Sequence, residues 1–261
     1  MYQKPVIGIF GASGSGKDLV ADWLVEKHDF VKIAYADPMK RMVARLFRVS
    51  PDLLWGPSEK RNELFKLSST AWFEIFASFE EATQEIYDVL GHHEKISGIL
   101  ALRDWLQGLY THYREEISTR IILQTLGTEW GRAVSESLWS DYATKVIRQV
   151  LAGQYYIQGN GHFSKVIDST YAGVVIPDHR FSNEIENLQK HGGHVLRIRR
   201  LGLESKTEEV GIPGHASEVE HKILPDSFFD SVLEFEEGID KVYTALESWY
   251  EKKPWMARTT S

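Results

Sequence analysis

Apolar residues recur along the chain in two periods, and the alternation between them predicts the architecture. Short, nearly continuous apolar runs read as buried strands at Val6–Phe10, Val31–Tyr35, 172–178, 194–200 and 227–235. Between them, apolar positions fall three and four apart, as on amphipathic helices. Leu19, Val20, Trp23 and Leu24 mark the first helix. Met42, Val43, Leu46 and Phe47 mark the second, with Pro38 in its first turn and Asp37 as its cap. A helix over 117–126 turns Ile117, Ile121, Ile122 and Leu126 inward and leaves Arg120 and Gln124 together on another face. Gly127-Thr128 ends or bends it. Residues 141–151 and 185–193 form further helices, the latter closed by Gly192-Gly193. Ile239, Val242, Tyr243, Leu246, Trp249 and Tyr250 share one face of a closing helix. Strands alternating with helices imply an α/β fold with a mostly parallel central sheet flanked by helices.

Other stretches break this rhythm. Residues 50–62 are a turn-rich connection with Pro51, Gly56 and Pro57, and 153–163 form a Gly-rich loop or hairpin. Residues 59–116 are helical in pattern, interrupted near 91–98, and carry Trp72, Phe73, Phe76, Phe79, Tyr87, Trp105, Tyr110 and Tyr113. Core packing explains these rings better than base stacking. Residues 201–218 are polar and about as long as an active-site lid. The expected organisation is a core of 1–58 and 117–252, a helical insertion at 59–116, and a lid segment at 201–217 within the core. The tail from Lys252 is expected to fray.

The first strand runs directly into G-A-S-G-S-G-K-D, whose spacing G-x-x-x-x-G-K is that of a phosphate-binding loop. Gly11, Ser13, Gly14, Ser15 and Gly16 let the backbone curl so that its N–H groups face phosphate oxygens. The helix that follows adds positive potential at the same point, and Lys17 reaches the outer phosphates. A hydroxyl usually follows that lysine and binds Mg²⁺. Here Asp18 follows, a harder charged oxygen that can hold the ion directly or through water. On an open parallel sheet, ligands bind at the carboxyl ends of the strands. The loop, D-P-M-K at 37–40 and Asp178 all stand at predicted strand ends, so they should share one edge.

Composition narrows the partners. A net charge of −7 over 261 residues argues against broad nucleic-acid binding, but not against a small phosphorylated ligand in a local cationic pocket. No apolar run is long enough to span a membrane, and the N-terminus lacks the layout of a signal peptide. With no cysteine there is neither a disulfide nor a thiolate metal site, which fits a reducing cytoplasm. His92-His93 and the His215/His221 pair make no recognised ligand set and read as surface or loop residues.

Phosphoryl transfer asks a protein mainly for positioning and charge neutralisation. An acceptor that carries its own phosphate needs arginines, whose planar fork matches phosphate oxygens. Arg61, Arg120, Arg180 and Arg200 are the candidates, with Arg200 at the start of the lid-like segment. Asp178 either lies near the metal and the acceptor or caps a helix.

Taken together, six segments resemble the phage-type deoxynucleoside monophosphate kinases, a branch of the P-loop nucleoside monophosphate kinases. They are G-A-S-G-S-G-K-D, A-D-P-M-K, L-W-G-P-S-E-K-R-N, L-Q-T-L-G-T-E-W-G-R, V-I-P-D-H-R-F-S-N-E-I-E and G-H-A-S-E, in the family's order between residue 6 and about 220. The resemblance implies a P-loop NTPase fold and the reaction ATP + dNMP ⇌ ADP + dNDP with Mg²⁺. It implies that Ser13 to Asp18 hold ATP, and that Asp37, Met39 and Lys40 form the acceptor turn. Arg61, Arg120, Gln124, Gly127, Thr128 and Trp139 then line the monophosphate pocket. Asp178, Arg180 and Glu184 form a second cluster, and Arg200 serves the lid. Lys17, Arg120, Asp178 and Arg200 are the expected catalytic groups. Where some relatives place basic residues inside the loop, this chain has Ser13 and Gly14. The resemblance also implies a cytoplasmic enzyme (host cytoplasm if phage-encoded), and a homodimer that the aromatic insertion could bury. Two other readings keep the phosphate loop: a kinase of another small metabolite, such as dephospho-coenzyme A, and a non-catalytic nucleotide-binding switch.

Overall fold

The computed structural model describes residues 2–12, 14–90, 95–153, 155–157, 163–166, 171–202 and 223–256. Ser13, the lid residues 203–217, His92, His93, His215 and His221 lie outside the described residues. In chain order the elements are β1 (Val6–Phe10), α1 (Lys17–His28), β2 (Phe30–Lys32), α2 (Ala36–Phe47), α3 (Asp52–Trp55), β3 (Leu64–Lys66), α4 (Ser69–Leu90) and α5 (Lys95–His112). They continue with β4 (Glu116–Ser118), α6 (Thr119–Thr125), a π-helical turn (Leu126–Trp130), α7 (Gly131–Val134), α8 (Leu138–Leu151), β5 (Tyr155–Ile157) and β6 (Phe163–Val166). The chain ends with β7 (Gly173–His179), α9 (Ser182–Lys190), β8 (His194–Arg200), β9 (Ser231–Phe235) and α10 (Ile239–Glu251).

The central sheet has the order β2-β7-β1-β8-β9, and every pairing in it is parallel. Such sheets must be covered on both faces, which the sequence satisfies by making both faces of β1 apolar. Val6 and Phe10 point into one core, with Val174, Ile176 and Val195 from the neighbouring strands. Ile7 and Ile9 point into the other, under α1 and α10, with Trp23, Leu24, Leu246 and Trp249. β1 lies between β7 and β8, so the chain leaves its carboxyl end at a crevice in the middle of the sheet, where α/β folds place ligands.

The helical stretch after residue 59 does not stand apart from this core. Trp72, Ile75, Leu102 and Trp105 from α4 and α5 belong to the same buried cluster as Val6 and Phe10. The buried indoles find partners for their N–H groups: Trp72 donates to the Arg114 carbonyl (2.9 Å), Trp105 to the Thr125 hydroxyl (2.9 Å) and Trp130 to the Gly98 carbonyl (2.9 Å). Phe73, by contrast, faces solvent. β5 and β6 pair as an antiparallel hairpin, one of the two forms expected of the Gly-rich stretch.

Several boundaries differ from expectation, each through a partner distant in sequence. Ile117 lies in β4, opposite Phe65 of β3, and the helix begins only after Ser118, whose hydroxyl caps it at the Ile121 N–H. The strand expected at 31–35 closes at Lys32, because Tyr35 already serves as the N-cap position of α2. Asp37 is therefore inside the first turn of α2 and not its cap. The last strand covers only Ser231–Phe235, after a short 3₁₀ turn at Asp226–Phe228.

The close fit around β1 gives a direct test. A Cβ on Gly8 would meet His179 Cε1 at 2.5 Å and Leu188 Cδ2 at 2.7 Å. Gly8→Ala is expected to cost about 1–3 kcal/mol through overpacking. Urea unfolding checks it: a lower midpoint with unchanged slope is the expected result. An unchanged midpoint would show that the imidazole gives way freely.

Candidate active site

The loop after β1 takes its shape from its glycines. Gly14 (φ 73°) and Gly16 (φ 94°) occupy the left-handed region, and Gly16 is the N-cap of α1. Gly11 passes so close to β8 that a Cβ would stand 2.8 Å from the Ile198 carbonyl oxygen. The Lys17 ammonium curls across the loop and donates to the carbonyls of Gly11 and Ala12, both at 2.7 Å. The Ser15 hydroxyl is buried and has no hydrogen-bond partner among the described residues. Asp18 points outward from the first turn of α1 and pairs with Lys32 at 3.0 Å. Partial desolvation pushes the Asp18 carboxyl up, but Lys32, with Lys17 and Lys40 behind it, outweighs this and holds it below its ordinary value.

The second wall is the start of α2, fixed from across the sheet. Asp178, near the end of β7, accepts the Tyr35 N–H at 3.0 Å on one oxygen and the Ala36 N–H at 2.9 Å on the other. A carboxylate there satisfies orphan N–H groups and favours the helix dipole. Of the two roles left open for Asp178, the cap accounts for these contacts. α2 then presents Asp37, Met39 and Lys40. Asp37 is buried, accepts the Trp55 indole N–H at 3.3 Å, and burial raises its carboxyl pKa. Burial also draws the Lys40 ammonium below its ordinary value, against the pull of Asp37, while Arg61 adds to the drop and Asp178 and Asp18 oppose it. Lys40 thus lies within the electrostatic reach of both the phosphate loop and the arginines.

Three of the four candidate arginines gather, with Arg120 and Arg180 both in electrostatic reach of Arg61, which spacing alone does not reveal. Desolvation holds the half-buried Arg61 guanidinium below its ordinary value, and the charges of Arg120 and Arg180 lower it further. Arg61 donates to the Leu54 carbonyl (3.4 Å), and Arg120 Nε donates to the Asn62 side-chain oxygen. Arg120 and Gln124 lie one turn apart on α6, as their spacing predicts, and Gln124 is buried. The π-helical turn that follows widens the helix at Gly127 and Thr128, a distortion common at functional sites. Thr128 donates to the Gln124 carbonyl (2.9 Å), and Trp139 to the Gly127 carbonyl (2.9 Å). Met39 packs on Gly127, where a Cβ would meet its sulfur at 3.2 Å. These contacts lock α2, α6 and α8 into one wall.

Arg180 is exposed beyond β7, and its backbone N–H is held by Glu184. The buried Glu184 Oε2 accepts from the N–H groups of Arg180 (2.8 Å) and Phe181 (3.1 Å). Desolvation raises the Glu184 pKa to about 8 despite these bonds. Arg200 is the last residue of β8, beside Phe235 of β9, and is not among the charges that act most strongly on Arg61. Sequence reasoning missed Lys32, Trp55 and Tyr35. Lys32 would have been flagged by the strand-end rule had the strand been closed there; Trp55 and Tyr35 act through partners 18 and 143 residues away. Among the described residues no group of three or more histidines or acids gathers as a metal cage, and no helix is long and apolar enough to cross a membrane.

A five-stranded parallel sheet with a glycine loop and helix N-terminus at its central carboxyl end defines an α/β protein of the P-loop NTPase type. The chain belongs to the deoxynucleotide monophosphate kinase family, whose model matches residues 5–225. It is also 23% identical over 248 residues to a protein of Acanthamoeba polyphaga mimivirus named "Putative deoxynucleotide monophosphate kinase", covering 93% of this chain and 94% of that protein. Family membership makes the protein a kinase of deoxynucleotide metabolism acting on small nucleotides.

The buried carboxyl of Glu184 sets a pH dependence. Its native pKa of about 8 lies above its ordinary value of 4.5, so the native state binds a proton there that the unfolded state has lost. Stability is therefore expected to fall as pH rises through this window, by up to about 1.4 kcal/mol per unit. Below pH 6.5 the buried His179, its pKa lowered to about 3 by desolvation, acts in the opposite sense, so the interval from 6.5 to 8 is free of its contribution, and comparison with a Glu184 variant separates Glu184 from the other buried carboxyls. Urea unfolding of the ligand-free protein across that interval should show the decline, and Glu184→Gln should flatten it. An identical decline in the variant would contradict the assignment.

Proposed function

We propose that the protein transfers the γ-phosphoryl group of ATP to a deoxynucleoside monophosphate, giving ADP and the diphosphate. The observation that carries this reading is the gathering of Arg120 and Arg180 within electrostatic reach of Arg61, with Arg120 bonded to the neighbouring Asn62, and of Lys40 within reach of both Arg61 and Asp18 of the loop. Four cations gathered at the carboxyl end of the sheet, in a chain of net charge −7, suit two phosphorylated ligands meeting end to end.

In this reading the loop amides, the Ser15 hydroxyl and Lys17 hold the donor phosphates. Lys17 exchanges the two loop carbonyls for phosphate oxygens, a stronger, charge-assisted bond. Mg²⁺ supplies neutralisation of the outer phosphate oxygens when bound. Asp18 is the residue that would hold it, and a single carboxylate fits an ion that keeps mostly phosphate and water ligands. An oxygen of the acceptor phosphate attacks the γ-phosphorus as the bond to the β,γ-bridging oxygen breaks, and ADP leaves with that electron pair. Arg61, Arg120 and Arg180 orient the acceptor phosphate, and Lys40 faces the charge that develops between the two nucleotides. Gln124, buried one turn from Arg120, reads the base edge while Thr128 and Trp139 brace the wall. Asp178 works through the backbone, by fixing where α2 starts. Arg200 would contribute from the root of the lid.

A coupled ADP-release assay with ATP and Mg²⁺ against dAMP, dGMP, dCMP, dTMP, a modified pyrimidine monophosphate and the ribonucleotides tests the reading. ADP formation should depend on at least one deoxynucleoside monophosphate, and no ADP above background across the panel would sink it. Lys17→Ala should lower kcat/KM by about 10²–10³ with the fold intact, because its charge acts on the transferring group. Arg61→Ala should raise the acceptor KM more than the ATP KM. Equal effects on both would remove Arg61 from the acceptor side.

A further inference from the structure

Lys32 is the last residue of the edge strand β2, at the same sheet edge as the phosphate loop. Its ammonium lies 3.0 Å from Asp18 Oδ1 and 2.9 Å from Asp22 Oδ1. Asp18 and Asp22 are one turn apart on α1, where two like charges repel. The Asp18 side chain is 81% exposed while that of Lys32 is 33% exposed. The lysine is thus the anchored partner and the carboxylate the one it restrains. The contact with Lys32 uses one Asp18 oxygen, and Oδ2 carries no hydrogen bond among the described residues. Asp18 directly follows Lys17, so an unrestrained carboxylate there would bring negative charge toward the place where donor phosphates are held.

We infer that Lys32 is a positioning residue of the phosphate site: it fixes Asp18 by one oxygen, leaves the other for the ligand side, and cancels the charge that Asp18 and Asp22 would otherwise turn against the incoming triphosphate. This rests on the reading of the loop as the donor site. A role confined to tying β2 to α1 would show as lost stability without change in nucleotide affinity. A direct contact of Lys32 with phosphate would act independently of Asp18.

Calorimetric titration of ATP, with and without Mg²⁺, into wild type, Lys32→Met, Asp18→Asn and the double variant separates these cases without relying on turnover. Lys32→Met should weaken ATP binding about tenfold, and Lys32→Arg should recover most of the loss. In the Asp18→Asn background, Lys32→Met should cost less than threefold, since the group it acts on has gone. Asp22→Asn should leave ATP affinity within about twofold of wild type. Thermal melting of each variant monitors the fold. A tenfold loss that persists in the Asp18→Asn background, or no loss in Lys32→Met with a lowered melting temperature, would overturn the assignment. Absence of ATP binding by the folded wild-type protein would instead overturn the reading of the loop itself.

Discussion

The structure depends on holding like charges together at one end of a parallel sheet. Arg61 sits half-buried where Arg120 and Arg180 repel it, and Lys40 is drawn below its ordinary basicity by burial and by Arg61. Such an arrangement costs folding energy that only anionic partners return, so the cations must be fixed by elements that are stable without them. The sheet supplies this frame: β1 and β7 are buried on both faces, and their carboxyl ends deliver the loop and Asp178 to the same crevice. Asp178 then sets the start of α2 through two backbone hydrogen bonds, which places Lys40 opposite the loop. A local carboxylate would not do this. Asp37, inside the helix, faces Trp55 and Lys40.

The acceptor wall follows the same logic with polar contacts in place of strands. α6 is short, and the π-helical turn extends it past Gln124 instead of ending it at the glycine. The turn is held by Trp139 on the Gly127 carbonyl and by Met39 against Gly127. Behind it, Trp105 and Trp130 tie α5 to α6 and the turn. The long helical stretch between β3 and β4 is thereby part of the support for the pocket. Its aromatic rings are mainly structural: Trp72, Tyr87 and Trp105 are buried.

What could be read from sequence was whatever depends on neighbours in the chain. The strand, glycine loop and helix at 6–28 follow from spacing alone, as does the shared face of Arg120 and Gln124. The apolar runs at β7 and β8 identify buried parallel strands because both faces must be apolar. The failures lie where a distant partner decides. Ile117 has helical spacing with Ile121, but Phe65 captures it into a strand pair. Asp37 has the residue type and position of a cap, yet Asp178, 141 positions on, takes that role. Lys32 reads as the interior of a strand until Tyr35 and Ala36 are seen bound to Asp178. The gathering of Arg120 and Arg180 around Arg61 is a property of the packed fold, with Arg180 brought in from the end of β7, and no periodicity encodes it.

The central claim is that a nucleoside triphosphate on the loop and a deoxynucleoside monophosphate on the arginines meet end to end. Calorimetric binding of a dinucleotide joining adenosine and a deoxynucleoside through five phosphates tests it most directly, because such a molecule spans both halves at once. The account predicts affinity at least about a hundredfold above that of ATP or the monophosphate alone, with the gain lost in Arg61→Ala. Binding no tighter than ATP would contradict it.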